Sequence, residues 1–125
     1  MSDFSLNPDF FSDDVLQEPT RVCFGRGLKA AGENNVAVVA LCADLTESTQ
    51  MHLFREAFPL RFVDMGVAEH NLVTVASGMD RAGQIPFTSV HAAFSPGRNW
   101  YEIRTPISVT HPPVTIFGCH HRLKV

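Results

Sequence analysis

This chain has little positive charge and no long apolar run. Ten Lys and Arg are scattered against thirteen Asp and Glu, for a net charge of -3. No basic stripe is left to follow a nucleic-acid backbone, which argues against that class of partner. No apolar stretch approaches the roughly 18 residues that span a membrane, so no membrane partner is expected. Cysteine is sparse: Cys23, Cys42 and Cys119 are widely spaced and form no C-x-x-C pair. That pattern fits a reducing cytoplasm better than a disulfide scaffold, with Cys42 as a small buried hydrophobe. The first 18 residues carry Asp3, Asp9, Asp13 and Asp14 but no Lys or Arg, unlike a secretory signal. Walker A, G-x-G-x-x-G and G-x-S-x-G motifs are missing, as are repeats and low-complexity segments. At 125 residues and 45% hydrophobic content, the chain has room for one domain with a core.

The pattern that is present alternates strands with helices. Residues 1–19 read as an acidic arm with Phe4, Phe10 and Phe11 as docking points, and residues 20–125 as the domain. Residues 20–32 have helical spacing, with Thr20 as cap, Val22, Leu28 and Ala31 inward, and Gly32 as the stop. Residues 36–42 are continuously apolar, as a strand buried on both faces should be. A polar loop follows at 44–48, then a short helix at 49–57 with Met51 and Phe54 inward, ended by Pro59. A strand is expected at 61–65, a helix at 69–82 closed by Gly83, and a strand at 85–90. Ser95 and Pro96 suggest a helix start, with Ser95 as cap, running to Thr105 before Pro106. A last strand falls at 113–118. This order predicts an α/β fold, a mostly parallel sheet with helices on both faces.

Parallel geometry gathers the carboxyl ends of the strands on one edge. The residues there are 44–48, 66–69, 91–94 and the pair His120 and His121. Such a rim suits a ligand site, although loops of this kind are polar simply because they are hydrated. Glu69 stands out. It follows Gly66 and precedes Leu72, Val75, Ala76 and Met79, so it lies along the apolar face of its helix and in the crevice where α/β sheets bind ligands. The residues alone leave it either a first-turn acid favoured by the helix dipole or a proton-handling group. Cys119, His111, His120 and His121 make a poor metal set. Adjacent strand residues face opposite ways and tetrahedral zinc spacing is absent, so no metal site is expected.

Several ordered segments stand out: Thr20-Arg21, Ala43-Asp44-Leu45-Thr46-x-Ser48, Phe58-Pro59-x-Arg61-Phe62, Gly66-Val67-Ala68-Glu69-His70-Asn71 and Phe94-x-x-Gly97-Arg98-x-Trp100-x-x-Ile103-Arg104. Together they resemble the pyrimidine-binding domain of transketolase, a thiamine-diphosphate enzyme. The likeness runs from about Thr20 to about His120. It implies that Glu69 hydrogen-bonds a ring nitrogen of the cofactor's aminopyrimidine and favours the imino tautomer, whose nitrogen takes the proton from thiazolium C2. It further implies that Asp44 lies near the cofactor and that Phe94 packs against the pyrimidine ring. His91 stands where the family often has a second aromatic. By the same match, Arg21 and Ser48 contact a substrate phosphate and His120 touches the substrate as a catalytic residue.

The resemblance also sets expectations about what lies outside this chain. The family's Gly-Asp-Gly element, which holds diphosphate and Mg2+, does not occur here. That half is expected on a partner, a complementary diphosphate-binding subunit, in a dimer or heterotetramer acting on sugar phosphates. The family continues past its histidine to Gly-x-Asp-Gly-x-Thr-His-Gln, whereas His121-Arg122-Leu123-Lys124-Val125 does not match it. The chain is therefore expected to be truncated at its C-terminus and inactive alone. The expected function is the pyrimidine-binding half of a split enzyme that moves a two-carbon ketol unit between sugar phosphates. The alternative is a non-catalytic remnant or partner-dependent binding module. A thiamine enzyme for another keto substrate is disfavoured by Arg21, Ser48 and His120.

Overall fold

Five consecutive buried residues, Val38–Cys42, form β1. Alternate side chains of this strand leave in opposite directions. Val38, Ala40 and Cys42 join Leu28, Met51 and Phe54 in one core. Val39 and Leu41 join Leu72, Ala76 and Val90 in a second core on the other face. The strand is apolar throughout because both faces are covered. The computed structural model describes residues 8–9, 11–15, 17–109 and 113–119. His111, His120, His121, Phe4, Phe10 and the last residues of the chain lie outside these.

The first core is covered by α1 (Thr20–Asn34) and α2 (His52–Ala57), the second by α3 (Glu69–Arg81). Four parallel strands form the sheet in the order β2 (Phe62–Asp64), β1, β3 (Ile85–His91), β4 (Thr115–Cys119). The register pairs Cys42 with Asp64 and with Ser89, and His91 with Cys119. The strand carboxyl ends therefore share one edge. The expected α/β fold, with a parallel sheet and helices on both faces, is the one observed. Among the described residues, no helix is long and apolar enough to cross a membrane.

Several element ends differ from expectation. Pro19, not Thr20, stands at the head of α1, and no side chain caps the helix. The Pro19 carbonyl accepts the Val22 N–H at 2.8 Å, so the turn entering the helix closes through the backbone. Gly32 does not stop α1, which runs on to Asn34. It is buried there because the helix presses on two rings: a Cβ at this position would lie 2.5 Å from Phe54 Cε2 and 2.7 Å from Phe58 Cε2. Val36 stays outside β1 because Asn35 makes a turn, accepting the Ala37 N–H on its side chain at 2.9 Å and the Val38 N–H on its carbonyl at 3.2 Å. Residues 49–51 precede α2 rather than belong to it, since Gln50 has a left-handed φ of 62°. α3 ends as expected, with Gly83 left-handed at φ 87° and its N–H on the Asp80 carbonyl at 2.8 Å.

The helix expected at 95–105 starts later. Residues 92–99 are turns, and Ser95 is buried and caps nothing. In this turn Gly97 backs onto the Ala93 carbonyl, 2.6 Å from where a Cβ would stand. A short α4 (Trp100–Glu102) then widens into a π-helical turn, Ile103–Ser108, that carries Pro106 inside it. The wider turn accommodates a residue that has no N–H to give and a ring that crowds the preceding turn.

Arg61 closes the end of α1. Its guanidinium donates to the carbonyls of Gly32 at 2.9 Å and Asn35 at 3.1 Å, and lies 3.9 Å from the centroid of the Phe58 ring. These carbonyls belong to a helix end that lacks intrahelical partners. Arg61→Met keeps the apolar stem but removes the donors and the cation over the ring. A stability loss of about 1–3 kcal/mol is expected in urea unfolding; an unchanged midpoint would refute this role.

Candidate active site

Three of the four strand-end segments singled out in the sequence meet at the rim, and Asp64 ties two of them together. At the end of β2, its Oδ1 accepts the backbone N–H groups of Asp44 and Gly66, each at 3.0 Å. Its Oδ2 accepts the Thr46 hydroxyl at 3.3 Å. The loop after β1 and the loop before α3 are thus fixed to one carboxylate. Asp44 holds a left-handed φ of 56°, which Asp tolerates better than most side chains, and its own carboxylate is exposed. Gly66, at φ 63°, makes the turn that delivers Glu69 to the head of α3.

Glu69 is the buried acid of the site, with 3% of its surface exposed. Arg98 donates to its Oε2 at 3.3 Å, and no described residue hydrogen-bonds its Oε1. The Glu69 carbonyl accepts the side-chain amide of fully buried Asn99 at 3.0 Å, which pins the turn at 92–99 onto the helix start. The Arg98 guanidinium also lies 5.7 Å from the centre of the Phe94 ring. One guanidinium thus bridges the acid and the aromatic. Phe94 packs against the second core, and His91 lies nearly parallel to it, 6.0 Å between ring centres and 12° between planes.

His91 has a second contact. Its Nε2 is 3.0 Å from Ser48 Oγ, which links the loop after β1 to the end of β3. Arg21 lies on the first turn of α1, the helix whose Phe24 stacks on Phe117 of β4 with 4.0 Å between ring centres, and the Arg21 charge bears on the Cys119 thiol at the end of that strand. Burial is the larger influence there and pushes that thiol up, with Arg21 opposing it. Burial likewise raises the Cys42 thiol, which accepts the Leu45 N–H at 3.3 Å and otherwise behaves as a small core residue. His120 lies outside the described residues. Among those described, no three His, Cys, Asp or Glu gather as a metal-ion cluster.

Sequence reasoning passed over three residues that build this site: Asp64, Arg98 and Asn99. Asp64 had a signal, a carboxylate ending a short strand two residues before a glycine, where it can accept loop N–H groups. Arg98 lay inside a recognised segment without a role of its own. Asn99 carried no signal, since its partner is a main-chain carbonyl thirty residues away.

The class defined by this geometry is a parallel α/β domain with a buried carboxyl group and an aromatic ring at the carboxyl edge of its sheet. The family model of the transketolase pyrimidine-binding domain matches residues 18–124, and the chain belongs to that family. Among curated proteins, it is 36% identical over 102 residues to a putative transketolase C-terminal section of Methanocaldococcus jannaschii, covering 82% of this chain and 32% of that protein. It is also 36% identical over 93 residues to 1-deoxy-D-xylulose-5-phosphate synthase of Clostridium perfringens, covering 74% of this chain and 15% of that enzyme. Among solved structures, a split-gene transketolase described as an inactive beta4 tetramer superposes with a TM-score of 0.72 at 42% identity, over 79% of this chain and 33% of that one. Transketolase of Leishmania mexicana gives 0.70 at 24% identity, over 79% of this chain and 16% of that one, and shares the fold. The chain thus spans about a third or less of the length of these relatives.

Proposed function

We propose that this chain is the pyrimidine-binding part of a thiamine-diphosphate enzyme that transfers a two-carbon ketol unit between sugar phosphates. The observation that carries the reading is Glu69: a buried carboxyl group at a strand-end helix start, with Oε1 not hydrogen-bonded by the described residues and Phe94 close to its Arg98 partner. An aminopyrimidine fits that set, since it needs one proton-exchanging group at a ring nitrogen and an apolar surface for its face.

When bound, the cofactor supplies a nucleophilic carbon. In this reading Glu69 holds and exchanges a proton at the pyrimidine ring nitrogen, a task that requires an acid rather than an amide. Phe94 bears on the ring face, and His91 extends that wall. Asp44 stands at the loop nearest the cofactor. Arg21 and Ser48 bind a substrate phosphate as cation and hydroxyl donor, and His120 meets the substrate. The diphosphate and its Mg2+ are assigned to a complementary subunit, in a dimer or heterotetramer, a reading supported by the likeness to a putative transketolase C-terminal section and to a split-gene transketolase. The domain is taken as residues 20–125, preceded by an acidic arm at 1–19, and the compartment as the cytoplasm. Activity is proposed for the assembly of the two parts, as the likeness to a split-gene transketolase supports.

Calorimetry with thiamine diphosphate and magnesium tests the proposal, using this chain mixed with a complementary diphosphate-binding chain. Saturable binding by the mixture, with ketol transfer from a ketose phosphate to an aldose phosphate, is expected. Absence of cofactor binding in a stable complex of the two would overturn it.

A further inference from the structure

We propose that Arg98 is a positioning residue for Glu69: by holding Oε2 it confines the exchangeable proton of the carboxyl group to Oε1, and it partners the charge left when that proton departs. The inference rests on the reading of Glu69 as the proton-exchanging group and gives its two oxygens different tasks.

The oxygens are not equivalent in this site. A guanidinium donates hydrogen bonds, accepts none and keeps its charge in proteins. The oxygen that it meets is therefore an acceptor. Arg98 Nη1 lies 3.3 Å from Oε2, so a proton on this carboxyl group has its place on Oε1. Among the described residues, Oε1 has no hydrogen-bond partner. Nor is it one of their fully enclosed polar atoms without a partner, which include Asn99 Oδ1 and Glu102 Oε2. The open oxygen and the proton-bearing oxygen are the same atom.

Departure of that proton leaves a carboxylate on a residue with 3% of its surface exposed. So buried a charge is poorly hydrated and needs a positive partner. Arg98 is that partner, while the next acid and base along, Glu102 and His70, face each other at 3.0 Å. The backbone aims the guanidinium. The Arg98 N–H donates to the Phe94 carbonyl at 2.9 Å, and Asn99 is pinned to the Glu69 carbonyl at 3.0 Å. Arg98 is thus tied on one side to the residue that bears the aromatic ring and on the other to the acid itself. Its side chain is 53% exposed, so what it adds here is the contact to Oε2 rather than core packing.

The test uses the full chain with a complementary diphosphate-binding chain, thiamine diphosphate and magnesium. Two quantities are read: cofactor affinity by calorimetry, and the rate at which the thiazolium C2 hydrogen of bound cofactor exchanges for deuterium, by proton NMR. Wild type, Arg98→Met, Arg98→Lys, Glu69→Gln and the double variant of Arg98→Met with Glu69→Gln are compared. Arg98→Gln, whose amide carries no charge, replaces Arg98→Met if that variant does not fold. In Arg98→Met the exchange should slow about 10-fold, the scale of one hydrogen bond to a charged group, with cofactor still bound. Arg98→Lys, also a cation that only donates, should recover most of the rate. In the Glu69→Gln background, Arg98→Met should change the rate by less than about 2-fold, because the group it acts on is gone. A role confined to the turn at 92–99 or to the Phe94 ring gives the same loss in both backgrounds, and that result overturns the proposal. Wild-type exchange in Arg98→Met, or loss of cofactor binding by a folded Arg98→Met, overturns it too. In each case slowed exchange in Glu69→Gln leaves the reading of Glu69 standing. Exchange indifferent to Glu69→Gln, or no cofactor binding by a stable wild-type complex, overturns both.

Discussion

Glu69→Gln is expected to lower turnover of the assembled enzyme by about 10²–10⁴-fold, the usual contribution of one proton-transferring group. The substitution keeps the shape of a side chain that is 3% exposed. Gln can still contact a ring nitrogen but cannot exchange a proton there, so cofactor is expected to remain bound while activity disappears. The fold should survive. Arg98, the partner of Glu69, has a side chain 53% exposed and can turn to water, so the lost ion pair contributes at most about 1 kcal/mol. The Asn99 contact is made to the Glu69 carbonyl and is untouched by the change. Calorimetric cofactor binding and steady-state turnover on the same preparation separate the two effects. Turnover at the wild-type rate with full cofactor occupancy would refute the role given to Glu69, whereas loss of both would point to a binding rather than a proton-handling acid.

The parts of the molecule that were legible in the sequence are those decided by local pattern. Residues 38–42 showed their burial because a strand covered on both faces has no polar position to spare. α3 was legible from its spacing and from Gly83. The strand-end rim followed from topology alone, which is why Asp44, Ser48, His91 and Phe94 come to the same edge as Glu69. The parts that were not legible depend on partners distant in the chain. The turn at 92–99 replaces a helix whose Ser95-Pro96 signal is locally sound, since Asn99 is held by Glu69 across thirty residues. Asp64 serves two loops at once, and neither loop shows in sequence that its N–H groups need an acceptor. The Ser48–His91 contact spans 43 residues and joins two positions that the family resemblance assigns to different ligands. Glycine was the least legible type, because its role depends on what stands in front of it.

Gly25 and Gly27, two residues apart on α1, are expected to respond to alanine with opposite sign. A Cβ at Gly25 would lie 2.5 Å from the Gln50 carbonyl oxygen and 2.8 Å from Gln50 Cβ, whereas one at Gly27 meets nothing within 4 Å. In an open helical position Ala is favoured over Gly by about 0.5–1 kcal/mol, through the smaller entropy of the unfolded chain. Gly27→Ala should therefore stabilise by that amount. Gly25→Ala gains the same propensity but must displace backbone. Gln50 cannot yield by rotating a side chain, because the obstacle is its carbonyl and its φ of 62° leaves little freedom. The helix or the loop before α2 has to move, and overpacking of this kind costs about 1–3 kcal/mol or more. A net loss near 2 kcal/mol corresponds to a Tm lower by very roughly 10 °C for a domain of this size. The loop that would be displaced carries Ser48, so the Ser48–His91 contact should be lost together with stability. Thermal unfolding of both variants, with His91 ring signals read in the same samples, checks each link. A Gly25→Ala chain as stable as Gly27→Ala would show that α1 and this loop can slide apart freely, and that Ser48 is not held in place from the α1 side.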